Sequence, residues 1–257
     1  MSDIKLSGIV ISAAPMGDKD VRAVLLSREI GKVTVLVKGG LSPNSKWRSI
    51  AQPFACGNFV LSKGTTFYYI KEAELGDSLY ELRTDLDRLA WASVMMEAAE
   101  RFSLDGVENR ELVNLLVRGL MAMARGSVNP PEALAAAFIF RLLADAGFQG
   151  ECDVCRYCGR KVGGGEEGLP GEAWGFRPED GSVVCPACEK MHPTGYLLSP
   201  QALGFWNRIL ESEEKEIFSV PAFPQTFTEL KRAATAFLEF QSEQRFRSLE
   251  FIRSIGG

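Results

Sequence analysis

The 257-residue sequence contains one histidine, His192, so most histidine-dependent hydrolytic and metal-catalytic constellations lack their parts. Carboxylate or lysine chemistry is untouched by that count. No stretch approaches eighteen consecutive apolar residues, and the amino terminus lacks the basic region and long apolar run of a secretory signal. A cytoplasmic chain with no membrane partner is therefore expected. Positive charge is not in excess: 29 lysines and arginines face 33 acids, for a net charge of −4. That argues against a protein-wide nucleic-acid footprint but leaves room for a local basic face. With 46% apolar and 24% charged residues, no part reads as grossly disordered.

Nucleotide-binding signatures are also missing. The stretch from Gly39 to Lys46 superficially suggests a phosphate loop, but aligning Lys46 with the loop lysine puts Ser45 where glycine is required. Trp47 then stands where a metal-binding hydroxyl belongs. Gly163-Gly164-Gly165 lacks a strand–turn–helix setting. Nothing in the sequence identifies an enzyme.

What is present is cysteine in a restrictive pattern. Cys155 and Cys158 form one CxxC pair, Cys185 and Cys188 a second, with twenty-six residues between the pairs. Two such hooks supply the four thiolates of a tetrahedral structural zinc site, one ion per chain. In a reducing compartment, metal ligation is a better reading than a disulfide framework. The segment from Gly150 to Pro193 is glycine-rich and poor in large apolar side chains, so it cannot bury enough surface to fold alone. Zinc binding at roughly 10–16 kcal/mol is ample to order it.

Cys152 makes the local run CDVCRYC, one thiol more than four-coordination needs. Gly159 follows Cys158 and supplies the tight turn a hook requires, so Cys155 and Cys158 are the chosen ligands and Cys152 a bystander. Cys56 reads as a small core residue. Cys185-Pro-Ala-Cys188 resembles a redox dithiol, but no βαβ context precedes it. A zinc deaminase needs an H-x-E element upstream of its cysteines, whereas His192 lies downstream as a loop residue or substitute ligand.

The periodicity divides the chain. Up to about Leu75 it runs in five β-like bursts, IKLSGIVI, VRAVLLSRE, KVTVLVK, GNFVLSK and TFYYIKEAEL, punctuated by turn residues. Five strands in roughly 75 residues fit a small barrel such as an OB-fold, with an SH3-like barrel as the alternative. Helical spacing follows from Leu82 through Met96, from Leu112 through Met123 behind Asn109, and from Pro130-Pro131 through Leu142. It resumes at Ser199-Pro200, and again from Phe227 through Leu230 and Phe237 towards Ile252. The expected architecture is α+β and multidomain: a five-stranded OB-fold barrel at 1–80, a helical domain at 81–149 and 196–257, and a zinc-binding insertion at 150–195.

Lys38, Lys46 and Arg48 flank a glycine-containing loop between the third and fourth strands, with Lys32 and Lys63 nearby in sequence and Trp47 available to stack. OB-folds hold single strands with this combination of cations and aromatic rings. The bland alternative is a solvated loop whose aromatic residues serve packing.

The ordered set resembles the RecO family of bacterial recombination mediators over nearly the whole chain. Three segments carry the resemblance. VLVKGGLSPNSKWRSIAQPF from Val35 is similar to the family's basic loop and Gln-Pro-Phe element, leading into TFYYIKEAEL. LLADAGFQGECDVCRYCGR from Leu142 places Asp153, Cys155, Cys158 and Gly159 on the first zinc hook, with Cys185 and Cys188 on the second. SEQRFRSLEFI resembles the family's terminal helix. Gly40 and Leu41 stand where the family usually has arginines.

The resemblance implies a barrel that binds single- and double-stranded DNA and anneals complementary strands. It further implies a RecR partner, assistance in loading RecA onto strands coated by single-strand-binding protein, and a helical-domain pocket for that protein's acidic C-terminal tail. Arg245 and Arg247 are candidates for the tail contact. A protein-interaction adaptor with weak or indirect DNA contact is the alternative function.

Overall fold

The computed structural model describes residues 3–76, 79–148, 152–162 and 172–255. The Gly163-Gly164-Gly165 run lies outside them. Two compact units result, one comprising Met1–Leu89 with Met96–Arg125, the other Ala90–Met95 with Gly126–Gly257.

In the first unit β1 (Asp3–Met16), β2 (Asp20–Ser27), β3 (Gly31–Val37), β4 (Cys56–Lys63) and β5 (Tyr68–Leu75) close a barrel in the order β1-β2-β3-β5-β4. The period-two pattern explains its filling. Val21, Ala23 and Leu25 of β2, Val33, Val35 and Val37 of β3, and Phe59 and Leu61 of β4 all enter one core. β1 runs five residues beyond the expected IKLSGIVI burst. A register shift between Val10 and Ser12 lets Ala13, Ala14 and Pro15 pair with Ala23, Arg22 and Val21.

Helix α1 (Leu86–Arg101) contributes Ala90–Met95 to the second unit and its remaining residues to the first, and its first turn is capped by Asp85, whose side chain accepts from Arg88 N–H at 2.9 Å. Such a cap stabilises by about 1 kcal/mol. Leu82, expected on this helix, lies instead in a short 3-10 turn at Tyr80–Arg83. Helix α2 (Arg110–Arg125) belongs to the barrel's unit: Asn109 N–H donates to Arg28 O, and Arg28 Nε to Asn114 Oδ1.

The second unit contains α3 (Pro131–Leu143), β6 (Trp174–Arg177), β7 (Ser182–Val184), α4 (Pro186–Glu189), β8 (Leu197–Leu198), α5 (Pro200–Glu211), α6 (Phe227–Ser242) and α7 (Arg247–Ile255). Proline opens α3 and α5, where its missing N–H costs nothing. The stretch expected as one terminal helix is two, because Glu243 takes a left-handed φ of 52° and ends α6. The cysteine segment also carries structure that its composition conceals, a three-stranded sheet in the order β7-β6-β8. Phe176 of β6 is wholly buried and packs edge-on against Trp206 of α5 at 5.2 Å and Phe237 of α6 at 5.7 Å. Burying that ring contributes about 2–3 kcal/mol. The segment is therefore tied to the helices by an aromatic anchor independent of its cysteines.

Candidate metal centre and nucleic-acid interface

The first hook is a tight loop. Gly159 N–H donates to Cys155 O at 2.9 Å, Cys155 N–H donates to Arg160 O at 2.7 Å, and Gly159 sits at φ 72°, a conformation that favours glycine. In the second, Cys185 precedes the single turn of α4, and the N–H groups of Met191 and His192 both donate to Cys188 O. Backbone joins the two: Arg156 N–H donates to Val183 O, and Cys185 N–H donates to Cys155 Sγ at 3.2 Å.

This framework places the sulfurs of Cys155, Cys158, Cys185 and Cys188 within 4.8 Å of one another, with 3.6 Å between Cys158 and Cys185. Four thiolates around a metal at about 2.3 Å stand about 3.8 Å apart, so the donor set fits a tetrahedral ion. Three of the cysteines are buried and Cys158 is exposed.

Electrostatics distinguish the thiols. Burial pushes Cys155 up, but the N–H groups of Cys185, Cys158 and Tyr157 and the Cys158 thiol outweigh it and bring Cys155 down to about 6. Burial, then the neighbouring sulfurs, push Cys188 up to about 12. A divalent ion removes this conflict by stabilising every thiolate at once. Cys152 lies outside the group. Its buried thiol donates to Asn207 Oδ1 at 2.9 Å and is raised to about 11, first by burial and then by Asp153. His192 is not among the four donors; its ring stacks on Tyr157 at 4.0 Å.

The barrel's basic residues sort by position. Lys38 follows β3, is exposed, and holds its ammonium 5.1 Å from the Tyr69 ring centre. Lys46 stands 4.3 Å over the Trp47 ring, and Arg48 is exposed beside it. Trp47 is half-buried against the barrel core next to Ile50 and Ala51, so the connection carrying these cations is anchored. Lys63 ends β4 opposite Tyr68, which flanks Val35 of β3. Lys32 is not gathered with them. It lies near the start of β3, six residues before Lys38 and roughly 20 Å away by strand rise, and pairs with Asp105 at 3.5 Å. Gly40 is packed: a Cβ there would lie 3.1 Å from Ala51 and Val21 side chains. Arg245 and Arg247 are both exposed, flanking buried Phe246 at the start of α7.

A family model described as "Recombination protein O N terminal" matches residues 1–79, and one described as "Recombination protein O C terminal" matches residues 83–250. The chain belongs to the RecO family. Relatives named "DNA repair protein RecO" include those of Alkaliphilus metalliredigens, 25% identical over 98% of this chain and 99% of the relative, and Moorella thermoacetica, 29% identical over 97% and 90%. That of Symbiobacterium thermophilum is 28% identical over 99% and 98%.

Within this RecO-family barrel, two cations escape the sequence reading. Arg22 is exposed on β2 and pairs with Leu36, which pairs in turn with Tyr69, so Arg22 shares the outer row beside Lys38. Lys19, in the β1–β2 loop, accepts at its carbonyl from Leu41 N–H, and this draws it to the start of the basic connection. Alternation along VRAVLLS marks Arg22 as outward, but only strand register reveals its neighbours.

Proposed function

We propose that this chain is a non-catalytic DNA repair and homologous recombination mediator whose barrel binds DNA and anneals complementary single strands. One observation carries the reading: Lys19, Arg22, Lys38, Tyr69 and Lys63 occupy the β2–β3 wall and the ends of the β1–β2 and β4–β5 loops. Those are the elements through which OB-folds bind oligonucleotides. Lys46, Trp47 and Arg48 extend the surface with two cations and a ring.

Similarity to the RecO family supports the finer reading of partners. With RecR, the chain helps load RecA onto strands coated by single-strand-binding protein, in the cytoplasm. Arg245 and Arg247 are candidates to receive that protein's acidic tail. The metal is a structural zinc, one per chain, held by Cys155, Cys158, Cys185 and Cys188. Its role is to order the insertion: four-cysteine donor sets without an open position suit structural sites.

The net charge of −4 favours a second reading, an adaptor that meets DNA indirectly. Titrating the protein with bare single-stranded DNA across salt concentrations separates the two. Lys38→Ala/Lys46→Ala/Arg48→Ala should lower the slope of log affinity against log salt by about 2, at roughly 0.7 per lost phosphate contact. An unchanged affinity and slope would reject this surface. Binding of the acidic tail peptide with no binding of bare DNA would establish the adaptor.

A further inference from the structure

The second unit carries an open pocket of about 450 Å³, within the range of small-ligand sites. Among its lining residues are Trp91, Tyr196, Lys231, Arg232, Glu239 and Arg253. The one carboxylate there, Glu239, is held by Arg253 at 2.6 Å, so the lining keeps a surplus of two positive charges. Neither Lys231 nor Arg232 pairs with a carboxylate among the described residues.

The aromatic lining is fixed in place. Tyr196 meets buried Phe176 edge-on at 6.5 Å and 77°, while the Arg232 guanidinium lies over its ring at 6.0 Å. Trp91, only 6% exposed, gives a further ring. A held ring beside unpaired cations is the pairing of elements by which proteins grip single-stranded nucleic acid without reading sequence. An aliphatic peptide side chain would use the apolar part of the lining but leave the Arg232–Tyr196 platform without a planar partner, whereas a nucleotide brings both a planar base and a phosphate for the two cations.

We propose that this pocket is a second single-strand contact, seating one nucleotide with its phosphate against Lys231 and Arg232 and its base against Tyr196. The proposal rests on the reading of the chain as a strand-annealing DNA binder. It gives such a protein a hold on a strand apart from the barrel's.

The test uses the full chain and an oligonucleotide carrying 5-iododeoxyuridine, irradiated and mapped by mass spectrometry. Crosslinks are expected both in the barrel and at Tyr196. Lys231→Glu/Arg232→Glu should reduce the Tyr196 crosslink at least about tenfold, because both phosphate contacts are replaced by repulsion, and leave the barrel crosslinks in place. Lys231→Ala/Arg232→Ala serves the same purpose should charge reversal disturb the melting temperature. Barrel crosslinks with none at Tyr196 would overturn the pocket proposal alone. Absence of crosslinks at both places would overturn the DNA-binding reading with it. Retention of the Tyr196 crosslink in both variants would also reject the proposed phosphate contact, as would exclusive protection of Tyr196 by an aspartate-rich peptide.

Discussion

Cys158 and Cys185 are twenty-seven residues apart in sequence and 3.6 Å apart at sulfur. Each hook alone is a local turn, and the four-sulfur cluster exists only when both are folded together. Cys158→Ser should therefore abolish stoichiometric zinc, measured by elemental analysis of reduced protein, while the barrel keeps its β circular-dichroism signal. Cys152→Ser should retain one zinc per chain, because that sulfur faces Asn207 and lies outside the four. Wild-type zinc content in Cys158→Ser would refute the ligand set.

The second hook depends on a contact outside the sulfurs. Glu189 Oε1 accepts from Thr194 N–H at 2.8 Å and from its hydroxyl at 3.0 Å, pinning the loop that follows Cys188. Gly175 of β6 makes room for this carboxylate: a Cβ there would fall on Glu189 Oε2 and lie 2.8 Å from Thr194 Oγ1. Gly175→Ala should cost about 1–3 kcal/mol by overpacking, read from urea unfolding. Gly204→Ala is the contrasting change. It lies exposed within α5 with open space around the added methyl, so it should stabilise by about 0.5–1 kcal/mol.

Asp180 predicts a pH dependence. Burial raises its pKa, but the hydroxyl and N–H of Ser182 and the nearby Arg177 and Arg156 together lower it below the usual carboxylate value. A folded-state pKa depressed in this way contributes stability that is fully present above about 3.9 and lost as pH falls through the folded value. The wild-type advantage over Asp180→Asn should be constant near neutrality and shrink below about pH 4. Because any loss of a cysteine-bound metal in acid would affect both proteins alike, the difference between them is the quantity to read. The ion pairs span 3.6 and 3.4 Å at a partly exposed site, so solvent screening keeps the effect under about 1 kcal/mol. A difference that grows on acidification would contradict the assignment.

What the sequence revealed depended on how local each cause was. The barrel strands follow from side-chain alternation, and the first hook from Cys155, Cys158 and Gly159 within five positions. Phe176 gives no such signal: its burial depends on Trp206 and Phe237, which come thirty and sixty-one residues later. The segment therefore reads as too poor in apolar residues to be held by anything but metal. The end of α6 is hidden for another reason. Glu243 is an ordinary helix former, and its left-handed backbone is imposed by the surrounding chain rather than by the residue type. Among the basic residues, nearness in sequence is a poor guide because a strand separates its two ends by its whole length.

That separation yields the sharpest contrast on the barrel. Lys32 and Arg22 are both cations on adjacent strands, yet register places them differently: Arg22 lies opposite Leu36, two residues before Lys38, whereas Lys32 lies opposite Leu26 and engages Asp105. If the DNA track follows Lys38 and Tyr69, Arg22→Ala should reduce the salt slope for single-stranded DNA by about 0.7 and weaken binding severalfold at low salt. Lys32→Ala should change neither, and Asp105 loses only a surface ion pair worth at most about 1 kcal/mol. Fluorescence anisotropy with a short unstructured oligonucleotide, repeated at several salt concentrations, measures both quantities. The reverse result, a slope lowered by Lys32→Ala and unmoved by Arg22→Ala, would shift the binding track to the opposite end of β3 and away from the rings of Tyr69 and Trp47.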